Sequence, residues 1–159
     1  MTAHYNWRGI SKWLVISAIV IALDFYTKQL IVQHFSYGEH MPVTTFFDLV
    51  RYHNEGAAFS FLAAAGGWQK YFFSAIAIVA AVIIVRLLMQ NLSQKLFCFG
   101  LALVLGGALG NLIDRISLGH VIDFLYFHYL QYDFPAFNVA DSAITCGVGV
   151  LLLDSFKKV

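Results

Sequence analysis

Two carboxylates carry the chemistry this sequence suggests: Asp123, in Val121-Ile122-Asp123-Phe124, and Asp141, in Phe137-Asn138-Val139-Ala140-Asp141. Each stands at or near the end of an apolar run long enough to cross a bilayer, where insertion scales set the cost of a charge at roughly 2.5 to 3.5 kcal/mol. A charge kept against that cost is a functional candidate. Two carboxylates brought together in a low-dielectric site cannot both ionise easily, so the pair tends to share one proton. One member then accepts a proton from water while the other donates a hydrogen bond to a carbonyl. That arrangement hydrolyses a peptide bond with neither a metal nor a covalent intermediate. Asp133 lies between the two in sequence, but in a plainly polar Gln131-Tyr132-Asp133 context, and is set aside.

Other chemistries find less support. There is no His-Glu-x-x-His stretch for zinc, and no metal or cofactor is expected. The six histidines are scattered; His120 and His128, the two near the pair, read as structural or interfacial. Ser74 and Ser142 have no histidine base within a turn or two of sequence. Cys98 and Cys146 lie inside apolar runs without neighbouring ligands and read as core residues. Asn54, Asn111 and Asn138 fall at helix ends or turns, where an amide can orient the aspartates or a substrate backbone, or simply cap a helix. Arg115, beside Asp114, can brace its loop or pair with a substrate group.

The elements that must position these residues are set by composition. With 60% hydrophobic and 12% charged residues, the 159-residue chain lacks the polar surface of a soluble monomer. The reading is a mainly α membrane protein of one domain, with four transmembrane helices at about 13–32, 71–88, 96–113 and 140–156 and external loops 33–70 and 114–139. The first apolar run resembles a signal peptide in its basic start, but Asp24 and Lys28 interrupt it and no small-residue cleavage site follows, so it is expected to stay as a helix. On that helix Ser17, Ile21, Asp24 and Lys28 share a face, and Asp24 and Lys28 are spaced to pair. They either anchor the helix end or serve the site.

In the third helix Gly106, Gly107 and Gly110 leave one side nearly bare, so that the third and fourth helices can approach closely and bring the aspartates together. The stripe continues into Asn111 and Asp114. Within the first external loop Val43 to Tyr52 has strand character, Asn54-Glu55-Gly56 has turn chemistry, and Ala57 to Leu62 forms a second short run. The expectation is a small external hairpin or curved sheet, with Phe46, Phe47, Phe59 and Phe61 at the membrane interface. Arg8, Lys12, Arg86, Lys95, Lys157 and Lys158 fall on one side of the helices and every acidic residue but Asp154 toward the other. By the positive-inside rule both termini are cytoplasmic and the aspartates lie near the outer face. A net charge of +1 gives no reason to expect a nucleic-acid partner.

These residues fall in ordered blocks. Asp24-x-x-Thr27-Lys28, Asn54-Glu55-Gly56-Ala57-Ala58-Phe59-Ser60, Gly106-Gly107-x-x-Gly110-Asn111-x-x-Asp114-Arg115, Val121-Ile122-Asp123-Phe124 and Phe137-Asn138-Val139-Ala140-Asp141-Ser142 resemble the signature blocks of lipoprotein signal peptidase, or signal peptidase II. The resemblance covers nearly the whole chain, and by it the external hairpin corresponds to the family's β-cradle. It implies an aspartyl endopeptidase of the bacterial inner membrane that removes the signal peptide from prolipoproteins, cutting just before a cysteine that already carries a diacylglyceryl group. It implies a catalytic dyad of Asp123 and Asp141, supported by Asp24, Lys28, Asn54, Gly56, Asn111, Arg115 and Asn138. The partners it implies are the prolipoprotein, membrane lipid and a cyclic peptide inhibitor of the globomycin type. Phe25, where the family usually has a polar residue, and Glu55, where a small residue is common, depart from the pattern. The rival from another class is a small transporter or channel subunit, in which Asp24, Asp123 and Asp141 relay protons or bind a cation; acidic residues gathered at one face, with no path across the bilayer, count against it.

Overall fold

The computed structural model describes residues 7–56 and 67–157. Four helices, α1 (Trp7–His34), α2 (Gln69–Gln90), α3 (Lys95–Ser117) and α4 (Val139–Phe156), alternate with four strands, β1 (His40–Thr44), β2 (Phe47–Asn54), β3 (Val121–Tyr129) and β4 (Tyr132–Phe137). Each helix is long and apolar enough to cross a membrane. Their bounds exceed the apolar runs, at α1 mainly toward the N-terminus and at α3 toward the sheet, where the polar residues Asp114 and Arg115 extend the helix and are satisfied by other parts of the protein.

α3 is the central helix and packs against the other three. Its glycines make this possible, though not on one face alone. A Cβ on Gly107 would run into the Ala140 carbonyl of α4, whereas one on Gly106 would lie 2.9 Å from the Ser17 carbonyl of α1. Farther toward the termini, Gly100 of α3 and Gly147 of α4 face each other with equally little room. Any side chain at these positions would separate the helices and lose close backbone packing.

The strands form one antiparallel sheet in the order β1-β2-β3-β4. Two corrections to the sequence reading follow. The first hairpin turns at Thr45–Phe46, not at Asn54–Gly56, which instead ends β2; Asn54 Oδ1 accepts the Gly56 N–H at 3.0 Å. The segment read as a plain second loop supplies β3 and β4, half of the sheet. Ala57 to Leu62, including Phe59 and Phe61, lies outside the described residues, while Phe46 is exposed at the hairpin tip. The β2–β3 register sets Tyr52 opposite Asp123 and Asn54 opposite Val121. Ile122 and Phe124 pack on Ile31 at the end of α1, and this seats the sheet on the helices.

Candidate active site

Asp141 occupies the third position of α4 and is held there by that helix's own start. The Asn138 side chain accepts the Asp141 N–H at 2.9 Å while Asp141 Oδ2 accepts the Asn138 N–H at 3.2 Å, a reciprocal capping box. The Asn138 amide also donates 2.7 Å to Asp123 Oδ1. One fully buried asparagine therefore touches both aspartates. The second oxygen of each is held by another amide: Asn54 Nδ2 donates to Asp123 Oδ2 at 2.9 Å, and Asn111 Nδ2 to Asp141 Oδ1 at 2.7 Å. A carboxylate oxygen has two lone-pair sites, so each still has capacity for water or substrate.

Beneath this layer sits a buried ionic group. Lys28 Nζ donates to Asp24 Oδ2 at 2.7 Å, Asp114 Oδ2 at 2.9 Å and Asn111 Oδ1 at 3.0 Å, which uses all three of its protons. Asp24 Oδ1 accepts the Ala140 N–H at 2.9 Å, and Asp114 Oδ2 accepts the Ile122 N–H at 3.2 Å. Lys28 and Asp24 are each 1% exposed, so they do not act as an interfacial anchor. They tie α1 to the start of α4, and Asp114 ties α3 to the start of β3. Asp24 and Asp141 also lie at the positive end of the α4 dipole, which favours carboxylates. Arg115 reaches sideways: its guanidinium donates to the Gly56 carbonyl at 3.1 Å and lies over the Phe73 ring.

The Asp123 carboxyl is pushed up to about 7, first by burial and next by the charge of Asp141, against the two asparagine amides that favour its ionised form. At neutral pH Asp123 thus sits near half protonation, where a carboxyl can either donate or accept a proton.

Two cavities meet here. One of about 540 Å³ is lined by Asp141, Asn111 and Arg115 together with Phe134, Phe137 and Ile144. The other, of about 520 Å³, is lined by Asp123 with Tyr52, Tyr126 and His53. Asn54 and the segment Phe134-Pro135-Ala136 border both.

The sequence-expected residues Asp24, Lys28, Asn54, Gly56, Asn111, Arg115, Asp123, Asn138 and Asp141 are all drawn into this one assembly. Asp114 was seen only as part of a stripe; its i, i+3 spacing from Asn111 was the available signal. Asp133, set aside as merely polar, lines the same cavity as Asp123. Cys98 is buried as expected, but Cys146 is exposed and lines the first cavity, because that side of α4 faces away from α3. Phe25 is 52% exposed on the outer side of α1. Neither His120 nor His128 bonds to an aspartate of the pair: His120 stacks on His53 at 3.8 Å and His128 bonds to Asp48 at 3.1 Å.

The sequence model of the family described as Signal peptidase (SPase) II matches residues 16–157. The chain belongs to the signal peptidase II family. A lipoprotein signal peptidase of Ralstonia nicotianae is 55% identical over 152 residues, covering 96% of this chain and 88% of that one. One from Cupriavidus pinatubonensis is 52% identical over 147 residues, covering 92% and 84%. Two solved structures, both described as bacterial membrane enzymes obtained by the in meso method, are similar to the fold. The one at 2.3 Å resolution has a TM-score of 0.84 at 31% identity and covers 93% of this chain and 89% of its own. The one at 1.9 Å has a TM-score of 0.83 at 29% identity and covers 100% and 99%. As a member of the signal peptidase II family the chain is a peptidase, and its four apolar helices make it a multi-pass membrane protein.

Proposed function

We propose that Asp123 and Asp141 are the catalytic dyad of an aspartyl endopeptidase that removes the signal peptide of bacterial prolipoproteins, cutting just before a cysteine that carries a diacylglyceryl group. One observation carries this reading: Asn138 donates through its side chain to Asp123 and through its backbone to Asp141, so a single rigid group fixes both acids. Asp123, protonated, donates to the scissile carbonyl; Asp141, ionised, takes a proton from the attacking water. As the tetrahedral centre collapses, a proton passes to the leaving nitrogen and the pair returns to one shared proton. Asn54, Asn111 and Asn138 hold the acids, Asp24 and Lys28 brace the helices behind them, and Arg115 with Gly56 sets the chain that follows β2.

The protein lies in the cytoplasmic (inner) membrane with both termini cytoplasmic and the site near the periplasmic face, as the distribution of basic residues supports. The apolar cavity between α3, α4 and β4 suits the apolar part of a substrate that stays in the bilayer. A lipidated precursor is already confined to that plane, which supplies much of the orientation a soluble protease must obtain by binding. A cyclic peptide inhibitor of the globomycin type is expected to occupy the same place. The test is incubation of the purified protein with diacylglyceryl-modified precursor and with unmodified precursor. Processing of the lipidated form alone is expected; equal processing of both, or of neither, overturns the reading.

A further inference from the structure

The two cavities differ in chemistry in a way that assigns the two sides of the cut. The first is walled by Phe134, Phe137, Ile144 and Cys146, between helices and β4. The second is bounded by the sheet: Asp123 is its buried end, Tyr52 and Tyr126 its walls, and Glu55 and Asp133 stand exposed at its mouth. Among the described residues no Lys or Arg lines it. A peptide bond placed between Asp123 and Asp141 has one flank in each cavity. The flank that continues as an apolar segment belongs in the first, so the other flank enters the second.

We propose that the cavity at Asp123 is the subsite for the residues just after the lipid-bearing cysteine, and that Glu55 and Asp133 make it favour basic residues there over acidic ones. This rests on the reading of Asp123 and Asp141 as the dyad. The surrounding charges agree. His53, the basic group of the lining, has its pKa lowered by burial first and then by stacked His120, so it is neutral at pH 7. Arg51, the nearest cation along β2, is turned away, its guanidinium donating to the Phe35 carbonyl at 2.8 Å. On the opposite wall Tyr126 has its pKa pushed up to about 12, by burial first and then by neighbouring Asp133. Asp133 lines the cavity beside Tyr126, so a cationic side chain entering it meets carboxylates at the mouth and phenol oxygens along the wall.

The experiment compares three lipidated peptides, identical except for Lys, Gln or Glu at the second and third positions after the cysteine, at low and at high salt. For the parent protein kcat/KM is expected to be about three- to tenfold higher for Lys than for Glu, with Gln between, and the ratio should shrink at high salt because both carboxylates are exposed. Glu55→Gln with Asp133→Asn should bring the ratio close to one, and Glu55→Lys with Asp133→Lys should invert it. A parent enzyme that cuts all three peptides alike, or a neutralised variant that keeps the full ratio, overturns the subsite and leaves the dyad standing. Cleavage of all three by Asp123→Asn overturns the dyad itself.

Discussion

At the end of the bundle that carries the termini, Ile10, Trp13, Ile84, Leu88, Leu101 and Leu105 form a buried apolar cluster, whereas at the sheet end Asp24, Lys28, Asn111, Asp114 and Asn138 are buried beside a smaller apolar cluster of Ile31, Ile122 and Phe124. The same helices build both. In the first region any side chain of about the right volume supplies dispersion contacts, so the packing tolerates exchange. In the second, Asp24, Lys28, Asn111, Asp114 and Asn138 each bond to specific partners, and removing one strands another in a low-dielectric setting. Stability is distributed over the apolar end and geometry is concentrated at the polar end. The site sits where the chain can least adjust.

The sharpest probe of that contrast is the proposed dyad. Asp123→Asn and Asp141→Asn are each expected to lower cleavage of lipidated precursor by about 10³-fold or more while membrane insertion stays intact. Normal processing by either variant would remove the pair from the chemistry. Next comes the ionic group. Lys28→Met leaves Asp24 and Asp114 without their cation and should cost about 3–5 kcal/mol of stability, with activity lost as well. Leu105→Ala at the other end should cost about 2–3 kcal/mol yet leave kcat per folded molecule unchanged. Thermal unfolding in detergent alongside kcat separates the two, and a kcat loss of similar size in Leu105→Ala would break the comparison.

A third expectation concerns pH. Asp123 is raised from 3.8 to about 7, so the folded protein holds this proton where the unfolded chain has lost it. Stability from this group is therefore full below about pH 4 and is lost as pH rises toward 7. The proposed mechanism needs the proton, so kcat/KM should fall about tenfold per unit well above pH 7. A flat profile from pH 6 to 9 would remove Asp123 as the acid. The smallest effects belong to the edge of the site: Asn54→Ala and Arg115→Ala should lower turnover about tenfold, more than they lower thermal stability. Equal losses would make both residues structural.

Much of this was legible in the chain. Helices long enough to span, a bare glycine face on α3, an i, i+4 pair at Asp24 and Lys28, and two isolated aspartates are local properties, fixed by the 3.6-residue period and by the cost of charge in apolar surroundings. The sheet was half visible. Val43 to Tyr52 has strand composition, but β3 and β4 are rich in aromatic and polar residues that alternate weakly, and their pairing with β2 closes across two intervening helices.

What the sequence determined alone is the inventory: four apolar helices, the amides and acids at their ends, and the motif order that identifies the family. What only the tertiary structure decided is the company each polar group keeps. Asp114 joins Lys28, Asn138 joins both aspartates, and Asp133 faces the cavity of Asp123 because α3 packs on both α1 and α4 and β3 pairs with β4. Those meetings depend on register and on the distance between helix axes, and no local spacing encodes either.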